Sequence, residues 1–444
     1  MKTMRVSAVV GLLLAGMVLA ACAPAATPAP PATQAPAQPT SEEPMAPTEM
    51  APEVETMKVG FTASQTGNLN VESTRQVNGL KLWMQQVNDA GGVPIGDNKV
   101  VKFEAVSYDD ESNKDRVQEL YTRLATEDNA DFLISPYSSG LADASAVIAE
   151  QYGKIMVTTG AASDSTYQKG YTLVYQAYTP ASSYLTGAVD NLMALDPSVK
   201  KIAFVHENDK FSTDVVTAAK TYAEGLGYDV VLFEGYDTGT TDFGPFINKI
   251  VAAGPEAIMG GGHFQDGSTF ARQLSEKGVN ANYIALLVAP PEPSFAELGD
   301  AAYGIAGPSQ WEPLAEYTAE AAASSGLEWY GISSADFTKD YKDAYGEDPS
   351  YHSAGGYVAG LILQKALEDA GSTDAAAVKQ ALDAMDVLTF FGHEKFDTTP
   401  DNHGLQVGHS MILIQWQKDA SGNLVKQVIW PPEGATAEAI YPIR

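Results

Sequence analysis

Residues 57–89 read MKVGFTASQTGNLNVESTRQVNGLKLWMQQVND. The first seven form a short apolar run of the kind that fills one buried strand. From residue 71 the apolar spacing lengthens to a helical period, and Val77, Leu80, Met84 and Val87 share one face of a helix over 71–89. A strand that leads directly into an amphipathic helix is half of a strand–helix–strand unit, and the chain repeats the pattern. Strands are predicted over 100–108, 132–135 and 155–159, with helices over 112–127 and 141–152 between them. A second series runs through strand 201–206, helix 212–225, strand 230–233, helix 243–252, strand 257–260, helix 267–277 and strand 283–288. Helix 212–225 is expected to bury Val215, Val216, Ala219, Tyr222 and Leu226. Further helices are predicted near 334–345, 351–370 and 374–385, and the end is β-rich, over 388–396, 410–417 and 424–430.

Apolar strands separated by helical crossovers pair in parallel and are covered by helices on both faces, so the fold class is α/β. The roughly 390 residues beyond position 55 are too many for one small core, and the two series predict two lobes of Rossmann-like build with parallel sheets.

The N-terminus sets the compartment. Lys2 and Arg5 precede an apolar run over 6–21, and Leu19-Ala20-Ala21-Cys22 has the spacing of a lipoprotein cleavage box. Cys22 is the only cysteine in 444 residues. Residues 1–21 are therefore expected to be a lipoprotein signal peptide, with Cys22 as the lipidated residue. Residues 22–55 are rich in proline and alanine without an aromatic residue, the composition of a disordered tether that reaches on the order of 90 Å. The expected location is outside the cytoplasm, held on a membrane (periplasm or cell surface) by the lipid alone, since no later run of about 18 apolar residues occurs.

The formal net charge is −29. Removing residues 1–21, which hold Lys2 and Arg5 and no acid, takes it to about −31. That charge excludes nucleic acid as a partner and flat adsorption onto anionic lipid. With one cysteine no disulfide forms within the chain, so packing alone must hold the fold.

Catalytic signals are poor. His-Glu-x-x-His, Cys-x-x-Cys, Gly-x-Ser-x-Gly and the phosphate-cradling Gly-x4-Gly-Lys are all missing, and the six histidines show no metal-ligand spacing. No cofactor, metal or enzymatic activity is expected. What stands out is small polar residues at strand ends: Ser135-Pro136-Tyr137-Ser138-Ser139-Gly140 and Thr158-Thr159-Gly160-Ala161-Ala162-Ser163. Hydroxyls beside the free N–H groups of helix starts suit a carboxylate without any cationic side chain. The same residues also serve as caps and turns.

With these residues in place, the chain resembles the leucine/isoleucine/valine-binding protein family, the type I periplasmic solute-binding proteins of ABC importers. The resemblance covers residues 57 to about 420. It runs through Gln65-Thr66-Gly67, Val87-Asn88-Asp89-Ala90-Gly91-Gly92-Val93, Ser107-Tyr108-Asp109-Asp110 and Ser138-Ser139. It continues through Gly160–Ser163, Gly239-Thr240-Thr241-Asp242-Phe243, Gly299-Asp300-Ala301-Ala302 and Gly356-Tyr357. The order and spacing of these pieces carry it, together with the lipid box and tether.

The resemblance implies two lobes joined by three hinge crossings near 178, 310 and 405, with 56–178 plus 311–405 as one lobe and 179–310 plus 406–444 as the other. It implies a monomer that closes on a neutral, branched-chain-type amino acid or a related small carboxylate or amide, and that delivers it to permease and ATPase subunits. A sensor that reads the same closure, and a binder of urea, short amides or aromatic acids, are the alternatives. By resemblance Ser139, with Ser138, holds the solute carboxylate, and Gly160, Ala161 and Ala162 form the backbone loop. Ala162 stands where the family often has threonine, with Ser163 one place later. Phe211, His263 or Phe264, and Trp311 correspond to the aromatic walls, and Glu72 stands at the first-lobe aromatic position. The acid that pairs the solute ammonium corresponds to Leu287. Another acid (Glu72, Asp266, Glu292 or Glu312) must then replace it, or the solute has no ammonium, because a buried ammonium without a partner costs several kcal/mol.

The anchoring expectation has a direct test. Cys22→Ser should release or misprocess the protein in membrane fractionation, and a normally processed, membrane-bound Cys22→Ser protein would overturn it.

Overall fold

The computed structural model describes residues 51–443 except Asp97. The expected signal peptide, Cys22 and most of the expected tether lie outside the described residues. Strand β1 spans Glu53–Ala63 and so begins inside the stretch expected to be tether: Glu53, Val54 and Glu55 pair with Lys99, Val100 and Val101. Helix α1 is Asn70–Asp89, as its apolar spacing predicts. Next come β2 Val93–Pro94, β3 Lys99–Asp109, α2 Lys114–Thr126, β4 Phe132–Ile134, α3 Ser139–Gln151, β5 Ile155–Thr158 and β6 Val174–Gln176. These six strands form one sheet in the order β2-β3-β1-β4-β5-β6, parallel except for the short β2.

The chain continues through α4 Ala181–Tyr184, α5 Thr186–Leu195, β7 Lys201–Glu207, α6 Lys210–Gly225, β8 Asp229–Tyr236 and α7 Gly244–Ala253. Then follow β9 Ala257–Gly261, α8 Phe264–Glu276, β10 Tyr283–Leu286 and β11 Ala306–Ser309. After α9 Ala319–Ser325, β12 Glu328–Trp329, α10 Ser334–Tyr345, α11 Tyr351–Ala370 and α12 Ala375–Asp383 come β13 Asp386–Leu388 and β14 His393–Lys395. The last strands are β15 Ile412–Lys418 and β16 Leu424–Trp430. The second sheet has the order β16-β15-β11-β10-β9-β7-β8, with β15 and β16 antiparallel additions. The strand expected over 388–396 is instead the hairpin β13–β14, which joins β12 in a third, small sheet. The α/β fold with two mostly parallel sheets is as read from the sequence. Helix α6 differs in one respect: Tyr222 and Leu226 are 38% and 39% exposed, because the helix ends there and Tyr222 turns its hydroxyl to Asp190.

The apolar core is split. One set of buried side chains includes Phe61, Trp83, Tyr178, Trp311, Phe390 and Phe396, and another includes Ala181, Phe204, Met259, Ala306 and Leu413. The chain passes from one to the other three times. The crossings are tied together at Thr179, whose N–H donates to Gln310 Oε1 at 3.0 Å and whose hydroxyl meets His409 Nδ1 at 2.6 Å. Burial pushes the His409 imidazole down to about 4, so it is neutral at ordinary pH. Its Nε2 donates to the Phe391 carbonyl at 3.0 Å, which leaves Nδ1 free to accept the Thr179 proton.

Helices α1 and α11 pack backbone to backbone through three glycines. A methyl group on Gly79 would lie 1.8 Å from the Ser353 carbonyl oxygen, one on Gly356 1.9 Å from the Gln76 oxygen, and one on Gly360 2.0 Å from the Trp83 ring. Glycine in a free helix costs about 0.5–1 kcal/mol relative to alanine. Here the sign reverses, because the added carbon has no room. Gly356→Ala should lower the unfolding free energy by about 1–3 kcal/mol in urea titration. An unchanged or raised value would show that the two helices can separate.

Candidate functional site

Leaving out β2, the first sheet runs β3-β1-β4-β5-β6. Leaving out β15 and β16, the second runs β11-β10-β9-β7-β8. In each, the chain starts in an inner strand, adds one strand to one side, and then builds to the other side. In such open sheets ligands settle beyond the carboxyl ends of the strands where the order reverses. In the first sheet that point lies between β1 and β4, whose exits lead to α1 and α3. In the second it lies between β7 and β9, whose exits lead to α6 and α8.

The β4 exit is built around two serines. Ser138 caps α3 at φ 84° and ψ 145°, and its N–H donates to the Gly160 carbonyl at 3.2 Å. Ser139 Oγ accepts the N–H groups of Ala162 at 3.0 Å and Ser163 at 3.2 Å. Ser139 therefore clasps the Gly160–Ser163 loop, and its own proton is left to donate. Gly160 has φ +64°, and a methyl group there would lie 2.4 Å from Gln76 Oε1 and 2.6 Å from the Tyr137 ring. Only glycine allows the loop this close to α1.

Beside this loop lies a nearly filled cavity of about 10 Å³. Tyr137, Tyr178 and Tyr351 line it from one side, and Tyr184, Phe211 and His263 from the other. It has room for about one water molecule, so a solute would enter only once the walls move apart. Hydrogen bonds close it across the two halves. Tyr137 OH meets His263 Nδ1 at 2.9 Å, Glu72 Oε1 accepts the Phe264 N–H at 2.8 Å, and Gln265 donates to Asn70 Oδ1 at 3.2 Å. Glu292, fully buried, lies 2.9 Å from Arg75 Nε and 2.6 Å from His352 Nδ1.

These contacts sort the expected site residues. Ser138, Ser139, Gly160, Ala161, Ala162 and Ser163 lie together in two adjoining loops. Phe211 and His263 reach the cavity wall. Phe264 does not: it is partly buried against the second half's core, and its backbone N–H is what faces Glu72. Trp311 is also corrected. It is 1% exposed, inside the first core, with ring centroids 5.4 Å from Phe337 and 5.8 Å from Phe390, so it is no wall of the cavity. Leu287 is a core residue of the second half, and its N–H goes to the Gly260 carbonyl. Of the replacement acids, Glu292 is taken up by Arg75 and His352, and Glu312 by Lys426 at 2.7 Å. Asp266 accepts the His263 N–H at 2.8 Å and the Tyr236 hydroxyl. Among the described residues, Glu72 Oε2 and Glu292 Oε2 are both buried without a hydrogen-bond partner, but Glu292 Oε2 is ion-paired with Arg75 and Glu72 Oε2 has no ion pair.

Sequence reasoning missed Tyr137, Tyr178, Tyr184 and Tyr351 as walls, along with the acids of the β7 exit. Glu207, Asp209 and His263 bring ligand-type atoms within 4.8 Å of one another, an arrangement able to hold a cation, although His263 Nε2 already pairs with Asp209 at 3.2 Å. Burial works against a charged His263, but the hydrogen bond to Asp209 and the charges of Asp209, Glu207 and Glu72 raise it to about 10. Burial, and then the Glu207 charge, raise the Asp266 carboxyl to about 7. Burial also raises Glu207.

The model of the periplasmic binding protein family matches residues 56–422, and the chain belongs to that family, whose members bind rather than transform their ligands. It is 27% identical over 410 residues to Leu/Ile/Val-binding protein homolog 7 of Brucella suis, covering 88% of this chain and 96% of the relative. Two solved structures share the fold at 20% identity. One is the branched-chain amino acid transporter substrate binding protein of Streptococcus pneumoniae in complex with isoleucine, at a TM-score of 0.67, covering 84% of this chain and all of that one. The other is an ABC transporter solute binding protein of R. palustris in complex with benzoate, at a TM-score of 0.68, covering 87% and 98%.

The acid cluster at the β7 and β9 exits makes stability depend on pH with a definite sign. A carboxyl raised from 3.8 to about 7 favours the fold fully below 3.8, and that contribution is lost as pH rises through 7. His263, raised from 6.5 to about 10, contributes fully below 6.5 and loses its contribution as pH rises through 10. Against the parent chain, Asp266→Asn should flatten the fall in unfolding free energy between about pH 4 and 7, and His263→Gln that between about 7 and 10. Parallel curves for parent and variants in urea titrations would refute both assignments.

Proposed function

We propose that this chain is the solute-binding component of an ABC importer, exported and held on a membrane surface by lipid at Cys22. Its solute is a neutral amino acid of the branched-chain type or a closely related small carboxylate. The observation that carries the reading is the Ser139 clasp beside a small, closed, aromatic-walled cavity where both sheets reverse their strand order. Hydroxyls and loop N–H groups there suit a carboxylate, and the rings suit an apolar body. The Brucella and Streptococcus relatives, named for leucine, isoleucine and valine and bound to isoleucine, point the same way.

In this reading 56–178 plus 311–405 and 179–310 plus 406–444 are lobes that hinge at the three crossings, and the closed form is presented to permease and ATPase subunits by a monomer. A second reading, an aromatic acid as solute, is favoured by the four tyrosines and one phenylalanine around the cavity. Among the described residues no helix is long and apolar enough to cross a membrane.

A thermal-shift screen of leucine, isoleucine, valine, benzoate and urea separates the solute classes, because a ligand that binds only the folded state raises the melting temperature. Ser139→Ala leaves the Ala162 and Ser163 N–H groups without their acceptor. It should weaken the best ligand by about 1–3 kcal/mol, roughly 5- to 150-fold in calorimetry. Affinity equal to the parent's would place the solute elsewhere, and no shift with any amino acid or small carboxylate would sink the proposal.

A further inference from the structure

Building on the amino-acid reading, we infer that the solute's ammonium group is held by Glu72 and Gln76, two acceptors one turn apart on α1. The inference rests on which buried polar atoms are left without partners. Glu72 is fully buried, and Gln76 is 1% exposed. Glu72 Oε1 is used by the Phe264 N–H, and its Oε2 has no partner. Gln76 Nε2 donates to the Ser135 carbonyl at 2.9 Å, which fixes the amide orientation, since a carbonyl needs a donor facing it. The free end of Gln76 is therefore the acceptor Oε1, and it too has no partner.

Residues four apart on a helix share a face. Gln76 Oε1 also lies against Gly160, at the start of the loop that Ser139 clasps. On the loop side, the buried Ser163 hydroxyl is unpartnered as well. The site thus presents unpartnered acceptors on α1 next to hydroxyls on the loop, the complement of a group with three N–H donors beside a carboxylate. Across the cleft, Glu207 Oε2 is buried without a partner and adds to the negative potential there. Lys114 and Lys210 line a separate pocket together with Glu207, Asp209 and His263. Lys210 is engaged with Ser165 and Asp214.

The test compares L-leucine with 4-methylpentanoate, which differs chiefly by the absent ammonium, using calorimetry on the full soluble chain. The parent should bind L-leucine at least 30-fold more tightly than 4-methylpentanoate. In Glu72→Gln the amide must turn its oxygen to the Phe264 N–H, so its NH2 takes the place of Oε2 and faces the ammonium with donors. L-leucine should then weaken by about 30-fold or more, and 4-methylpentanoate by less than about 3-fold. Gln76→Met, which removes the second acceptor at similar volume, should weaken L-leucine by about 10-fold in the same selective way.

Equal affinity of the parent for the two compounds would overturn the inference without use of any variant. L-leucine binding that survives both substitutions would overturn it while leaving the amino-acid reading intact. Binding of L-leucine that requires added zinc and is abolished by a chelator would put a metal ion in the acid cluster and overturn it as well. If neither compound binds but benzoate does, the amino-acid reading falls and the inference falls with it.

Discussion

The three passages of the chain between the two halves of this molecule meet at Thr179. Its backbone N–H is tied to the second crossing at Gln310, and its hydroxyl to the third at His409. Three chain segments that are far apart in sequence are thereby held at one buried point. A single crossing would allow the halves to twist and slide. In the proposed closing motion, three crossings pinned together would leave one soft direction, opening and closing about the pin. The neutral imidazole of His409 suits this place, since a charge there would be expensive to bury and would draw water into the pivot.

On this pivot the two halves are stiff for different reasons. The first is locked by the glycine contacts between α1 and α11, where backbones touch and side chains have no slack to adjust. The second carries an extra antiparallel pair, β15 and β16, which covers the edge of β11. Rigid bodies that meet through a few loops can make those loops specific. The contacts across the cleft are few and directional: Tyr137 to His263, Glu72 to the start of α8, and Glu292 between Arg75 and His352.

Much of this was legible in the sequence where a periodic pattern met a buried face. Helices α1, α10 and α11 fall at or within one residue of their expected bounds, because their apolar residues repeat at 3.6 and each begins at a clear break in that pattern. The Ser138–Ser139 and Gly160–Ser163 loops were recognisable as small polar residues at strand ends. The small sheet of β12, β13 and β14 was not, since two- and three-residue strands carry no period. Trp311 and Phe264 misled for a related reason. An aromatic residue near a strand end reads the same whether it turns to a cleft or to a core, and only the packing of Phe337 and Phe390 decides the first case. The tyrosine walls come from four separated segments, and their meeting is a property of topology. The cluster of Arg75, Glu292 and His352 joins Arg75 to two residues more than 200 positions away, a distance across which no local pattern speaks.

The unpartnered oxygens of Glu72, Gln76 and Glu207 also bear on the empty protein. Shutting the cleft with nothing inside strips water from these groups and gives them no donor in return, a penalty of about 1–3 kcal/mol for each. In the proposed function, the vacant molecule would thereby be biased toward staying open. Where the closed shape is the signal to a membrane pump, that bias would suppress idle turnover: the pump would seldom be offered a closed protein with no cargo, and little ATP would be spent on futile strokes.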